Sequence, residues 1–161
     1  RGYADPDGFI LVCPNFKDGY QRLEYATDYR MIDIIKEIKH EFRIDEKKVF
    51  MAGFSGGAQF THRFILRHPE YIQAASIGAA GSYDYPTFSR RAKDIKFLVM
   101  VGENDSERLE ITKQFAEQLK NNGYSVKFKT FPGVGHELCD DAELLTIDLF
   151  REMVSKKLQV H

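Results

Sequence analysis

An α/β domain with a mostly parallel sheet and helices on both faces is what this sequence predicts, and three observations predict it. Short apolar runs alternate with segments of helical period along the 161 residues. One of those runs stops at a glycine, turns through a serine and restarts as a helix of small residues: Val49-Phe50-Met51-Ala52-Gly53-Phe54-Ser55-Gly56-Gly57-Ala58. The polar residues able to work with that serine each follow a later strand at once, which is where the working edge of an open parallel sheet lies.

The elements justify the class in order. Residues 8–14 (GFILVCP) read as a buried parallel strand, with Asp5-Pro6-Asp7-Gly8 as the turn before it. Residues 15–24 are polar loop. From about 25 to 42 Tyr25, Met31, Ile32, Ile35, Ile38 and Phe42 recur at helical spacing. A strand is expected over 48–52 and a helix from 57 to about 67, stopped by His68-Pro69 because proline disfavours helix in the residue before it. Residues 74–78 are a short strand of small side chains, 81–93 a loop, and 95–101 a strongly apolar strand. A helix over about 107–121 closes at Asn122-Gly123. Residues 126–131 form a strand whose alternating lysines suit a sheet edge. A last helix runs from 141 to about 158 with Leu145, Leu149 and Met153 on one face.

The chain is long enough for one domain burying about 68–70% of its unfolded surface. With a formal net charge of −1 and no long block of either sign, it offers no field to draw in nucleic acid or acidic lipid. The longest apolar runs, 9–13 and 97–101, are too short to span a bilayer. The two cysteines, Cys13 and Cys139, are expected as buried or half-buried thiols rather than a disulfide. The sequence opens at Arg1 rather than methionine, so cytoplasmic and secreted locations both stay open.

Ser55 is the candidate nucleophile. A serine on so sharp a turn needs neighbours without a Cβ, and the turn aims the first helix amides at an incoming oxyanion. A serine hydroxyl needs a base, and the base needs an acceptor on its other nitrogen to fix its tautomer. His136, in Pro132-Gly133-Val134-Gly135-His136 after the last strand, supplies the base. Asp105, in Gly102-Glu103-Asn104-Asp105 after strand 95–101, is the favoured acid, with Glu103 as its rival. His40, His62, His68 and His161 are weaker bases, lying in helices, at a helix end or at the terminus. No metal-ligand spacing or Gly-rich phosphate loop is present, and no cofactor is implied.

Gly53–Ala58 (GFSGGA), Gly133–Glu137 (GVGHE) and the 8–14 run together resemble the α/β-hydrolase superfamily, in the chain order Ser, Asp, His. Within it the chain looks most like serine esterases of the polyhydroxybutyrate depolymerase-like and feruloyl esterase-like branch. Dienelactone hydrolases and prolyl oligopeptidase-like peptidases are near neighbours, and serine rather than cysteine at position 55 counts against a dienelactone hydrolase proper. The resemblance implies a carboxylic ester hydrolase acting on a small-molecule or polymer-linked ester, with Ser55, His136 and Asp105 as catalytic residues and the Gly56 N–H in the oxyanion hole. A peptidase with the same residues, or a non-catalytic fragment, are the alternatives. It also implies three strands and a helix before residues 9–14, the third inserted between that strand and the next, and a second oxyanion donor on the loop after it. The expectation is therefore a single domain over 1–161 that forms the C-terminal two-thirds of a longer one. Tyr83, Tyr85 and Phe88 are expected to flank an open site, without a large cap.

Overall fold

A computed structural model of the chain describes residues 8–17, 19–45, 49–87, 89–92 and 94–155. Its elements in order are α1 (Thr27–Glu41), β1 (Phe50–Phe54), α2 (Gly56–Arg67), β2 (Ala74–Gly78), β3 (Lys96–Gly102), α3 (Leu109–Asn121), β4 (Ser125–Phe131) and α4 (Asp140–Ser155). The four strands form one parallel sheet in the order β1-β2-β3-β4, with Phe50 beside Ala74, Ala74 beside Lys96 and Lys96 beside Ser125.

Sequential parallel neighbours joined by right-handed crossovers carry their helices on one face. Accordingly Phe64 of α2, Phe115 of α3 and Ile32 of α1 share a cluster with Ile77, Phe97 and Val99 of the sheet. The alternate residues of β3, Leu98 and Met100, face the other way onto Ala142, Leu145 and Leu149 of α4. Helices therefore cover both faces, as the alternation of periods predicts. The described residues of the link from β2 to β3 contain no helix, but its Ala92 and Ile95 are buried in the larger cluster. β2 is buried throughout, and its small side chains let both layers approach. β4 alternates exposed and part-buried residues, and Lys127 and Lys129 face water on the sheet edge.

One expected element is missing. Residues 9–17 have no regular structure, and Ile10, Leu11 and Val12 are 46%, 60% and 41% exposed. An apolar run becomes a strand only where a neighbouring edge accepts its backbone bonds, and among the described residues β1 pairs with β2 alone. Phe9 meets Phe50 only edge to face, at 6.0 Å. Cys13 is consequently exposed rather than buried, Cys139 is half-buried, and both are free thiols. The turn expected at 5–7 and the ends of the strand and helix expected at 48 and 156–158 lie outside the described residues. The polar loop before α1 holds two 3₁₀ turns, Tyr20–Arg22 and Glu24–Ala26. Leu23, Tyr25 and Ala26 there take positive φ, which delays α1 to Thr27. Among the described residues no helix is long and apolar enough to cross a membrane.

Candidate active site

Ser55 is the only residue between β1 and α2, and its backbone sits at φ 53°, ψ −115°. This sparsely populated conformation is costly for a residue with a Cβ and persists only where surroundings hold it. Here Ser55 N–H donates to Gly78 O at 2.8 Å, and its own carbonyl accepts from Gln59 N–H at 3.1 Å. Gly53 is required because a Cβ there would run into the Gly57 carbonyl and lie 2.6 Å from Thr61 Oγ1. The serine hydroxyl thus stands at the carboxyl end of the sheet, with Gly56 opening the helix behind it.

The loops after β3 and β4 are joined just beyond the sheet. Glu103 N–H donates to Phe131 O at 3.0 Å and Asn104 N–H to Val134 O at 2.8 Å. Gly102 makes that approach feasible, since a Cβ there would occupy the space of the Val134 and Gly135 carbonyls. The seam brings Asp105 to His136: Asp105 Oδ2 and His136 Nδ1 are 2.7 Å apart. His136 Nε2 lies 2.9 Å from Ser55 Oγ. An ionised carboxylate only accepts, so Nδ1 carries the ring proton and Nε2 accepts from the serine hydroxyl. The imidazole also stacks on Phe54, with centroids 4.9 Å apart. An imidazole so held can take the serine proton while the carboxylate stabilises the resulting cation.

Asp105, not Glu103, meets the histidine. Glu103 is exposed and its Oε1 accepts from Thr130 Oγ1 at 2.8 Å on β4. Asp105 is 4% exposed. Its second oxygen, Oδ1, accepts from Arg108 Nη1 at 3.3 Å.

Several neighbours escaped the sequence reading. Arg108 carried a weak signal, a cation three residues beyond the acid at the start of a helix. Arg63 carried none, because its partners are distant in the chain. Its Nη1 donates to Gln21 O at 2.6 Å, its Nε to Asp84 Oδ1 at 2.9 Å and its Nη2 to Ser82 Oγ at 3.0 Å. One guanidinium therefore ties the two loops on either side of the serine turn to α2.

Of the aromatic residues expected to flank the site, Tyr83 belongs to the core instead. Its ring stacks on Phe115 at 4.3 Å, and its hydroxyl accepts from Ala80 N–H at 3.0 Å and meets Thr112 Oγ1 at 3.1 Å. Tyr85 is exposed, and Phe88 lies outside the described residues. His62 is fully buried, with Nδ1 donating to Ala58 O at 2.9 Å and Nε2 accepting from Asp84 N–H at 3.0 Å. Burial pushes its pKa down to about 4. His68 meets the buried Asp28 at 3.0 Å. Among the described residues no group of three or more metal-ligating side chains converges.

The fold recurs among solved structures. An uncharacterised protein from Bacillus cereus ATCC 10987 superposes with a TM-score of 0.76 at 20% identity, over 97% of this chain and 54% of that one. A thermostable esterase matches with a TM-score of 0.58 at 26% identity, over 65% of this chain and 28% of that one. In sequence, a bifunctional acetylxylan esterase/xylanase of Neocallimastix patriciarum is 32% identical over 74 residues, 44% of this chain and 11% of the relative. The chain thus spans a small part of the curated relative and about half of the Bacillus protein. The α/β-hydrolase expectation holds for the fold. The dienelactone hydrolase family model matches residues 11–148, from the apolar run through the histidine loop into α4, and the chain belongs to that family.

Proposed function

We propose that this chain is a serine hydrolase that cleaves carboxylic esters through an acyl-enzyme. The observation that carries the reading is the unbroken line from Asp105 Oδ2 to His136 Nδ1, and from His136 Nε2 to Ser55 Oγ, at 2.7 and 2.9 Å. Ser55 Oγ attacks the acyl carbon and its proton passes to His136 Nε2. The carbonyl π pair moves onto oxygen, where the Gly56 N–H receives it. Collapse breaks the bond to the alcohol oxygen, which leaves with the proton from His136. Water then repeats the sequence on the acyl-enzyme, giving the acid and free Ser55. Asp105 keeps its charge throughout and holds the imidazole in the tautomer that can accept at Nε2.

Family membership and the acetylxylan esterase relative favour an ester over an amide. The substrate class is a small or polymer-linked ester, and the 161 residues form the C-terminal two-thirds of one hydrolase domain. Intact-mass spectrometry after a fluorophosphonate probe tests the chemistry. One adduct is expected on the chain, absent in Ser55→Ala and in His136→Ala. No adduct on the unmodified chain, or one that survives Ser55→Ala, would end the reading in favour of a non-catalytic module. A panel of matched p-nitrophenyl esters and p-nitroanilides separates esterase from peptidase.

A further inference from the structure

The Gly56 N–H is the one oxyanion donor that mechanism names within these residues, and the segment lying against Gly56 carries a hydroxyl. We propose that Tyr20 is a catalytic residue whose phenol is the second donor to the oxyanion. The proposal rests on the serine esterase reading above.

The placement comes from the crowding at Gly56. A methyl group at position 56 would come within 2.9 Å of the Tyr20 hydroxyl oxygen and 3.3 Å of Gln21 Nε2. Tyr20 therefore reaches the first residue of α2, the residue whose amide receives the acyl oxygen on the proposed mechanism. The ring is held at one orientation by Phe16 at 6.3 Å and Phe60 at 6.2 Å, and those two rings pack on each other at 5.3 Å. The backbone beside it is fixed by Arg63, which donates to Gln21 O at 2.6 Å. Gly19, at φ 85°, turns the chain into Tyr20, and its carbonyl accepts from Arg22 and Glu24 N–H. Leu23, Tyr25 and Ala26 hold positive φ in the same segment. Backbone in such conformations needs surroundings that over-determine it, and it gathers at functional sites.

The hydroxyl itself is uncommitted. Tyr20 is half-buried, and among the described residues no hydrogen bond engages its oxygen. A phenol taken partly out of water ordinarily finds a partner. A donor placed beside Gly56 and held by packing finds that partner when negative charge forms on the acyl oxygen. As the Ser55 Oγ–C bond forms and the serine proton moves to His136, Tyr20 O–H and Gly56 N–H both donate to the new oxyanion and both keep their protons. Gln21 stands farther off and hangs on a more flexible side chain, which makes it the control.

The test is steady-state hydrolysis of p-nitrophenyl acetate by the chain and by its Tyr20→Phe, Gln21→Met and Ser55→Ala variants, with fluorophosphonate labelling rates alongside. Tyr20→Phe keeps the ring contacts and removes only the donor. Its kcat is expected to fall about 10²-fold with KM within about twofold, and its labelling rate to fall in parallel. Phenylboronic acid, which forms a tetrahedral adduct on the serine, should lose affinity in Tyr20→Phe by a similar factor. Wild-type turnover in Tyr20→Phe with Ser55→Ala inert overturns the Tyr20 assignment and leaves the serine reading intact. A loss confined to Gln21→Met overturns it in favour of the amide. Equal turnover by the chain and Ser55→Ala, or none by either, overturns both.

Discussion

Asp105 spends its two oxygens on different partners, and on the proposed mechanism the division has consequences for rate. Oδ2 serves His136 while Oδ1 meets Arg108, itself turned toward Glu107 at 3.0 Å. On the proposed mechanism Arg108 is a positioning residue: it touches no reacting atom but donates to the carboxylate that orients the imidazole. A hydrogen bond to a charged group contributes about 1.5–3 kcal/mol when its partner stays buried. Arg108→Met should therefore lower kcat roughly tenfold or more with KM unchanged, and Arg108→Lys should recover part of the loss. Equal kinetics in Met, Lys and wild type would show that the loop geometry suffices. At Gly53 the expectation concerns folding. Gly53→Ala drives a methyl into the Gly57 carbonyl, and overpacking of this kind costs about 1–3 kcal/mol. Urea denaturation should show a lower midpoint than for Gly57→Ala, where a Cβ meets nothing within 4 Å.

At the scale of elements, α2 is anchored through a histidine that works only when neutral. His62 bridges Ala58 and the 81–87 loop, and its Nε2 must accept the Asp84 N–H. Its neighbours pull both ways, Asp84 favouring the cation and Arg63 opposing it, and burial decides. With a folded pKa of about 4 against an ordinary 6.5, the unfolded chain binds the proton first as pH falls. Stability from this group is intact above about pH 6.5, declines by about 1.4 kcal/mol per pH unit below that, and levels off near pH 4. Asp28 adds to the acid side. Burial raises its carboxyl, but bonds from His68 and Arg67 more than offset that and hold it below its ordinary range. Chemical denaturation between pH 7.5 and 4.5 should show a steep fall for the chain and a shallower one for His62→Gln. Parallel slopes would remove His62 from the account.

Elements with their own period or punctuation were legible in the sequence. The expected strand at 74–78 is β2 itself, the helix after Ser55 starts within one residue of its expected place, and the lysines of β4 marked the sheet edge. The meeting of Ser55, Asp105 and His136 was legible because each lies on the connection after a strand, so topology brings the three side chains together. What failed were features set by tertiary partners. The 8–14 run has strand composition but pairs with no strand among the described residues, Tyr83 turned inward onto Phe115, and the pairings of Arg63 join residues far apart in sequence.

For the whole molecule, that unpaired run and the free side of β1 belong to one question. Ile10, Leu11 and Val12 expose large apolar side chains, and among the described residues the outer edge of β1 has no ladder partner in the sheet. An open, apolar sheet edge is a template for association. If these residues form the C-terminal two-thirds of one domain, as proposed, additional strand from the natural chain covers this side. The 161-residue chain should then bind an apolar dye such as ANS and self-associate at micromolar concentration, and Leu11→Lys should weaken both. Hydrogen exchange gives the sharper reading. Amides of β1 should exchange faster than those of β3, which is paired on both sides, and a longer natural chain should slow β1 selectively. Equal protection of β1 and β3 in the 161-residue chain would mean that the four-stranded sheet is closed without further strands, and the longer-domain proposal would fall.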